Sequence, residues 1–303
     1  MALANARIVQ SMPEPEYRAH KNWSVSQFKM LPKKPELFHG FYVAKPPLFE
    51  FEETPGMLFG TCAHGEFLEG RACSMVPAEY LTSNGQRRGK AYEAYRAMHG
   101  ALECLNAKEM AAVQGIRASC DAQSRVMDLL WGKGPTEVSI FANDEETGLD
   151  VMGRLDKWRK VGCGIIGDLK VTDIDPDDER AIINHVFQMQ YVQPAAFYTD
   201  LLHAATGERP EFIFVFARKK PPYTVRLWQP SENDIDLGRR RNRLALLDLR
   251  RRLDSGDWTG DRHNRVNAGA DGSLLPRYAY TDAPGDNPPN TYDEFSEFAV
   301  SEA

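Results

Sequence analysis

Three short strand-like runs follow one another between residues 136 and 172, and they constrain the fold of this chain more than any other feature. The runs are TEVSIFAND, GLDVMGRLDKWRK and GIIGDLKVT, each rich in β-branched or apolar residues. The turn-forming segments DEETG and VGCG separate them. This pattern predicts three consecutive antiparallel strands.

Helical patterns lie on both sides of these strands. Upstream, helices are predicted within SQFKMLPKKPELF, near residues 58–70, and twice within residues 86–130. Downstream, a helical segment over about 176–205, broken near Pro194, precedes a hairpin made of EFIFVFAR and YTVRLWQ. A basic amphipathic helix, GRRRNRLALLDLRRRLDSG, ends before Gly256. This order of elements indicates an α/β fold.

The composition fits one large domain between two terminal segments. With 303 residues and 42% hydrophobic content, the chain can bury a sizeable core. We expect a flexible arm over residues 1–20, a single domain over 21–256, and a poorly ordered acidic tail, rich in Pro and Gly, over 257–303. The net charge is -6, but residues 254–303 hold ten acidic and three basic side chains. The rest of the chain is therefore almost neutral, which neither supports nor excludes binding to nucleic acid.

Several classes of protein are disfavoured by what the sequence lacks. It has no run of about eighteen apolar residues, and its first twenty residues do not resemble a secretion signal, so we expect a cytoplasmic protein without a membrane span. The five cysteines are scattered and form no C-x-x-C pair, which argues against a zinc ribbon or an iron–sulfur cluster.

The third strand carries an acid and a base two residues apart. Alternation along GIIGDLKVT places Asp168 and Lys170 on one face and Leu169 on the other. The preceding strand carries Asp156, with eleven residues between it and Asp168. Pairing of the two strands through the VGCG turn would bring the two carboxylates side by side.

Two neighbouring carboxylates repel each other unless a cation lies between them. Mg²⁺ suits such a site because it is a hard ion that prefers oxygen ligands, and Mn²⁺ is expected to substitute for it. Asp156 and Asp168 would hold the ion, with the backbone carbonyl of Leu169 as a further ligand. Lys170 could orient or deprotonate the attacking water and offset charge on a pentavalent phosphate. The alternative is a cross-strand ion pair between Asp156 and Lys170 on a solvated face.

The segment GRLDKW followed by IIGDLKVT resembles the RecB-like branch of the PD-(D/E)XK nucleases, and most closely the phage-type exonuclease VIII (RecE-like) family. Two further segments agree with that family. WSVSQFKMLPKKPELF is similar to its S-x-S-x-x-K-x-L…P helix, and FGTCAHGEFLEG is similar to its F-G-x-x-x-H-x-x-x-L-E helix. The four motifs occur in the family's order, from about Trp23 to Arg218.

The resemblance implies a restriction-endonuclease-like core, with a central mixed sheet flanked by helices and extra N-terminal helices. It also implies a Mg²⁺-dependent 5′ to 3′ exonuclease that acts on double-stranded DNA ends. Such an enzyme leaves a single strand for a phage-type annealing protein. RecE-like relatives form rings around DNA, so the resemblance further implies a homo-oligomer.

The family pattern adds site residues that the strands alone do not indicate. His64 would contact the metal or the scissile phosphate, although a lone histidine is more often structural. Glu137 matches an acidic position at the edge of such sites, or is a surface strand residue. The family has a Gln and a Tyr four residues apart on the helix after the D-x-K strand, and they contact DNA or support the lysine. Tyr198 matches the tyrosine unless it is a core residue, but Pro194 stands at the glutamine position. Gln193 would face the site only if Pro194 lies in the first turn of that helix.

Contacts to the DNA backbone are expected from basic side chains outside this site. Lys219 and Lys220 lie at a predicted hairpin tip, and Arg240 belongs to the basic helix. The alternative is that these charges only solvate the surface.

Other functions fit parts of the pattern. One is another PD-(D/E)XK nuclease, such as an endonuclease or a repair or CRISPR-associated exonuclease, although the CRISPR-associated type usually carries a four-cysteine cluster that this chain lacks. A second is a non-catalytic DNA-binding accessory protein of recombination. The presence of Asp156, Asp168 and Lys170 argues against it, because a site that had lost its activity would tolerate their loss. A third is a structural protein whose acidic pairs arise by chance.

Overall fold

Seven strands of the described chain form one mixed sheet, with helices against both of its faces. The computed structural model describes residues 1–50, 54–99 and 104–260, together with two short strands beyond them. The strands are β1 (Leu3–Val9), β2 (Trp23–Ser24), β3 (Ser74–Met75), β4 (Cys104–Leu105), β5 (Thr136–Asp144), β6 (Leu149–Arg159), β7 (Ile165–Thr172), β8 (Glu211–Arg218), β9 (Val225–Trp228), β10 (Asn267–Ala268) and β11 (Leu274–Leu275). The large sheet has the order β1-β5-β6-β7-β8-β9, and β2 pairs with β6.

The helices occur before, between and after the strands of the sheet. They are α1 (Glu14–Ala19), α2 (Val25–Phe28), α3 (Pro35–Phe38), α4 (Pro55–His64), α5 (Lys90–His99), α6 (Ala107–Asp121), α7 (Ser124–Trp131), α8 (Glu179–Gln188), α9 (Val192–Thr206) and α10 (Glu232–Ser255). Capping boxes at Asn106 and Ser231 begin α6 and α10. Gly256, with a φ of 69°, ends α10 in the left-handed conformation. The basic helix thus ends where the sequence predicts.

The prediction of three consecutive antiparallel strands is confirmed. β5 pairs with β6 and β6 with β7, both antiparallel, through the two predicted turns. The hairpin of β8 and β9 is also present, and β8 joins β7 in parallel along its whole length. The result is the expected mixed sheet.

The central strands β6 and β7 are hydrogen-bonded over only part of their length. Their register runs from Arg159 to Lys157 on β6 and then stops. Further along the same edge of β6, β2 lies opposite Val151 in parallel register. Because β7 follows β8 instead, the strands that carry Asp156 and Asp168 separate next to those two residues.

Each face of the sheet carries its own hydrophobic core. One core lies under α2, α3, α8, α9 and α10 and includes Ile166 and the edge-to-face ring pair of Phe28 and Phe197. The other lies under α4, α6 and α7 and includes Leu169 and Val215. The predicted alternation along β7 is therefore confirmed, since Ile166 and Leu169 pack on opposite faces.

The expectation of a flexible arm over residues 1–20 is wrong. Residues Leu3–Val9 form β1, which pairs antiparallel with β5 at the edge of the sheet, and α1 follows. The strand was hard to recognise because its register shifts between Ala4 and Arg7, and Asn5 has a φ of 53°. A bulge of this kind breaks the two-residue period that marks a strand in a sequence.

Two helix predictions also need correction. Residues 86–130 contain α5, α6 and most of α7, three helices in place of two, because Gln123 interrupts the apolar periodicity between α6 and α7. The segment over 176–205 divides at residues 189–191, just before Pro194, which lies in the first turn of α9. The predicted disorder of the tail over 257–303 concerns residues that lie almost wholly outside the described ones.

No helix in the described part of the chain is both long and apolar enough to cross a membrane.

Candidate active site

Three carboxylates lie on three adjacent strands at the level where β6 and β7 separate. The register of β5 and β6 sets Glu137 opposite Asp156. The register of β6 and β7, continued by one residue beyond the pair of Lys157 and Gly167, sets Asp156 opposite Asp168. The sheet itself therefore gathers the acids that the sequence predicts for the site.

Asp156 and Leu169 hold the two separating strands together. The Leu169 N–H donates to Oδ2 of Asp156 at 2.9 Å, so a side chain replaces the missing backbone partner on β6. His64 lies against the same pair. Its Nδ1 is 3.5 Å from Asp156 Oδ2, and its Nε2 is 2.9 Å from the carbonyl oxygen of Leu169.

His64 reaches the sheet from the last turn of α4. This helix begins at Thr54, whose hydroxyl accepts the N–H of Met57, with a proline in the first turn. Its buried residues Leu58, Phe59 and Cys62 belong to the core that also contains Leu169. Packing of α4 on β7 therefore places the histidine beside the carbonyl of Leu169.

Buried Asp168 forms an ion pair with Lys170, whose side chain is partly exposed. Lys170 Nζ lies 2.5 Å from Asp168 Oδ1, while Asp168 Oδ2 is buried with no hydrogen-bond partner among the described residues. Burial raises the pKa of Asp168 to about 6, although Lys170 acts in the opposite direction. Burial alone would lower the pKa of Lys170, but the charges of Asp168 and Asp156 outweigh it and raise that pKa.

Glu137 is half-buried beside a second acid, and its backbone conformation is strained. Its φ is 50°, a left-handed value that a residue with a side chain rarely adopts and that costs on the order of 1–3 kcal/mol. Burial, followed by the charge of Asp156, raises the pKa of Glu137 to about 8. The guanidinium of Arg154 lies 3.5 Å away and opposes that shift. The carboxyl group is thus held in place at an energetic cost.

These groups fit a hard divalent cation. Ligand atoms of His64, Glu137 and Asp156 lie within 4.8 Å of one another. Asp168 stands next to this group with one buried carboxylate oxygen to which no described residue donates a hydrogen bond. A buried oxygen without a partner is costly, and a cation would satisfy it while offsetting the repulsion between the acids. Carboxylate and carbonyl oxygens are the ligands that suit Mg²⁺ and Mn²⁺.

Gln193 does not contact the site in the described structure, which corrects the expectation for this residue. It lies in the first turn of α9 with Pro194, as the sequence requires, but its side chain is buried and donates to Asn242 Oδ1 at 3.1 Å. Asn242 in turn donates to the carbonyl of Gln193 at 2.8 Å. The hydrogen-bonding capacity of Gln193 is used to join α9 to α10.

Tyr198 lies on α9 against the central strand. A Cβ added to Gly153 would stand 3.0 Å from its ring, so the tyrosine packs directly on β6. Burial raises the pKa of Tyr198 well above its usual range, and the charges of Asp168 and Asp156 act in the same direction. Tyr198 is thus partly buried and packs against the core, which is the alternative that the sequence left open for it.

The basic residues expected to contact DNA are mostly engaged within the protein. Lys219 and Lys220 both pair with Asp173, at 2.6 and 3.3 Å. Several arginines of α10 pair with acids on α10 or on neighbouring elements, whereas Arg240 is exposed. The basic helix is consequently more a network of ion pairs than an open phosphate-binding face.

One basic residue near the acids was missed at the sequence level. Lys29 directly follows α2. Burial lowers the pKa of Lys29, and the charge of Lys170 acts in the same direction while that of Asp168 opposes it. The signal was present, because Lys29 is the lysine of the S-x-S-x-x-K segment, but only the spatial structure brings that segment to β7.

Comparisons with known proteins agree with this architecture. The family model described as "PDDEXK-like domain of unknown function (DUF3799)" matches residues 24–251, more than half of the chain. A crystal structure titled "Putative exonuclease", from Eubacterium rectale, aligns over 94% of this chain and 98% of its own with a TM-score of 0.58 and 17% identity. The chain thus has the restriction-endonuclease-like α/β fold of the PD-(D/E)XK superfamily.

A second solved structure, that of SSO0001, covers 64% of this chain and 87% of its own at 14% identity, but its TM-score of 0.27 is too low to indicate a shared fold. No curated protein matches the sequence.

Proposed function

Because the chain belongs to the family of PDDEXK-like domains of unknown function, we propose that it is a metal-dependent nuclease that hydrolyses phosphodiester bonds of DNA. The observation that carries the proposal is the ion pair of Lys170 with Asp168 beside Asp156. The other carboxylate oxygen of Asp168 is buried and has no hydrogen-bond partner in the part of the chain that the structure describes. Two further half-buried ligand groups, Asp156 and His64, lie beside Leu169, the residue between the two members of this pair.

Four groups would hold the metal: the carboxylates of Asp156 and Asp168, the carbonyl oxygen of Leu169, and the imidazole of His64. The close approach of His64 to both Asp156 and Leu169 supports this set. Glu137, opposite Asp156, would complete the site at its edge. When bound, Mg²⁺, or Mn²⁺ in its place, supplies positive charge that stabilises the developing charge on phosphate and lowers the pKa of water.

Lys170 would act as a cation. Its ammonium lies beside Asp168 and would orient the attacking water. The ammonium would donate hydrogen bonds to the attacking water and to a phosphate oxygen, and it would offset the charge that develops during hydrolysis. Asp168 would keep it in position through their 2.5 Å contact.

We further propose an exonuclease that acts on double-stranded DNA ends in the 5′ to 3′ direction, in phage-type recombination. The ordered motifs shared with RecE-like proteins support this mode, and the Eubacterium rectale protein of similar fold carries the name of an exonuclease. By the same resemblance the chain would form a homo-oligomer and pass its single-stranded product to an annealing protein.

The test is digestion of end-labelled linear duplex and closed circular duplex with Mg²⁺, comparing the wild-type protein with Lys170→Ala. We expect cleavage of the linear duplex by the wild type only, with release from 5′-labelled ends. Equal cleavage by the two proteins, or none by the wild type, would overturn the nuclease proposal. Attack on closed circles would retain a nuclease but replace the exonuclease with an endonuclease.

A further inference from the structure

Lys29 brings a second positive charge close to the candidate active site. Burial lowers the pKa of Lys29 to about 8, and the charge of Lys170 lowers it further while Asp168 raises it. Its ammonium donates a hydrogen bond to the carbonyl oxygen of Met189 at 3.3 Å. The chain therefore holds two lysine ammonium groups near each other, one on β7 and one after α2.

The loop between α8 and α9 fixes Lys29 in this place. Gln190 has a φ of 56°, and its amide group can donate to the Lys29 carbonyl at 3.3 Å and accept from Lys33 Nζ at 3.2 Å. The next residue, Tyr191, presents its ring 5.6 Å from Lys170 Nζ. One short loop thus contacts Lys29, Lys33 and Lys170.

Lys33 extends the basic region away from the acids. Its pKa is lowered by burial and by the charges of Arg241 on α10 and of Lys34. Lys33 lies at the surface, one turn of chain beyond Lys29. The positive charges therefore run from the active site to the outside of the protein.

Lys29 and Lys33 differ from the lysines of the hairpin tip and from Arg239 on α10. Lys219, Lys220 and Arg239 each lie within 3.3 Å of a carboxylate oxygen. Within the described ranges, neither Lys29 nor Lys33 forms an ion pair with any carboxylate. Neighbouring cations repel each other, and Lys29 is in addition partly buried. A bound anion would offset both the repulsion and the cost of burying the Lys29 charge.

We propose that Lys29 and Lys33 bind a backbone phosphate of the nucleic acid, next to the phosphate that is hydrolysed beside Lys170. This inference rests on the proposed nuclease function and adds a flanking phosphate subsite to it. The phosphate is the fitting anion because a strand that enters the active site carries one such group per nucleotide. Contacts of this kind position the strand and do not depend on base sequence.

The proposal is tested by the salt dependence of DNA binding, measured in EDTA so that the duplex stays intact. For a phosphate contact, log K falls with log[salt] by about 0.9 for each neutralised charge. We expect Lys29→Gln and Lys33→Gln each to reduce this slope by about one and to weaken binding by about tenfold. Lys29→Arg, which keeps the charge, should retain the wild-type slope.

Lys108→Gln on α6 is the matched control, since Lys108 is exposed on the helix layer of the opposite face. It should leave the slope unchanged. Because Lys33 is exposed, its variant keeps the test valid if Lys29→Gln fails to fold.

The position of the contact is tested by replacing single phosphates of the duplex with neutral methylphosphonates, counted from the end. Loss of one particular phosphate should weaken binding by the wild type but not by Lys29→Gln, because the two changes remove the same contact. Additive effects at every position would overturn the subsite.

Failure of the subsite can be distinguished from failure of the proposed function. A wild-type protein that cleaves DNA, with Lys29→Gln and Lys33→Gln binding at the wild-type slope, would overturn the subsite alone. A wild-type protein that neither binds nor cleaves DNA would overturn both. Reduced slopes in the variants of an inactive protein would keep the subsite and contradict only the hydrolysis.

Discussion

The backbone N–H of Leu169 donates a 2.9 Å hydrogen bond to Oδ2 of Asp156, across the point at which β6 and β7 separate. In an unbroken antiparallel pair this N–H would be bonded to backbone of the neighbouring strand. Here it positions a carboxylate, and the same residue offers its carbonyl oxygen to His64. The separation of the strands therefore creates the site, and Asp156 stabilises that separation.

Substitutions of Asp156 should distinguish its structural role, as the acceptor of the Leu169 N–H, from its role in DNA cleavage. Asp156→Asn keeps an oxygen that can accept the Leu169 N–H, whereas Asp156→Ala leaves that donor without a partner. We expect the free energy of unfolding of Asp156→Ala to be about 1–2 kcal/mol lower than that of Asp156→Asn. Urea denaturation in EDTA measures both values. Both variants should lose DNA cleavage by about two orders of magnitude or more. Equal stability of the two would contradict the structural role of the hydrogen bond.

The raised pKa of Glu137 predicts that the metal-free protein becomes less stable as the pH rises. The folded-state pKa of about 8 exceeds the usual value of 4.5, so the folded protein binds this proton more tightly than the unfolded chain does. The stability that the protonated group contributes is complete below pH 4.5 and is lost as the pH rises through about 8.

Glu137→Gln should therefore match the wild type near pH 4.5 and exceed its free energy of unfolding at pH 9 by up to about 5 kcal/mol, because a rise from 4.5 to about 8 spans roughly 3.5 pKa units at about 1.4 kcal/mol each. Denaturation in EDTA at a series of pH values measures this difference. If the difference in unfolding free energy between Glu137→Gln and the wild type stays constant with pH, the ionised Glu137 does not destabilise the folded protein.

Gln193 and Asn242 are expected to matter for stability and not for DNA recognition. Removing either side chain leaves the buried polar group of the other without its partner. Gln193→Ala and Asn242→Ala should therefore each lower the free energy of unfolding by about 1–3 kcal/mol. The double variant should cost less than the sum, because both changes break the same pair. An increased KM for DNA at unchanged stability would instead support the family role of the glutamine.

Much of the site could be predicted from sequence because its main residues lie on local elements. The turn between β6 and β7 places Asp156 beside Asp168, and alternation places Lys170 on the face of Asp168. Other features depend on contacts between distant parts of the chain. Lys29 reaches the site only because α2 packs under α8 and α9, and the pairing of β1 with β5 joins segments more than 130 residues apart.

Local geometry explains the remaining differences. The left-handed backbone of Glu137 leaves no mark in the strand pattern of TEVSIFAND, since a surface glutamate would give the same letters. The polar partner of Gln193 lies on α10, 49 residues away, so nothing near Pro194 could reveal it.

The close contact of α9 and α10 depends on a glycine. A Cβ at Gly238 would stand 2.1 Å from the backbone oxygen of Val192 and 2.8 Å from the Cβ of Ala196. Gly238→Ala should therefore lower the free energy of unfolding by about 1–3 kcal/mol through overpacking. Gly60→Ala in α4 is the control, because that Cβ would meet nothing within 4 Å and should stabilise the helix by about 0.5–1 kcal/mol. Equal effects of the two substitutions on thermal unfolding would contradict the packing of α9 on α10.

The metal centre itself is tested most directly by calorimetric titration of the protein with Mn²⁺. The wild type should bind the ion, and Asp168→Asn should bind it about tenfold more weakly or worse, because it loses a carboxylate oxygen that has no hydrogen-bond partner among the described residues. Asp173→Asn, which removes an acid paired with Lys219, should bind like the wild type. Absence of Mn²⁺ binding by the wild type, or equal affinity of the wild type and Asp168→Asn, would contradict a metal centre built on Asp156 and Asp168.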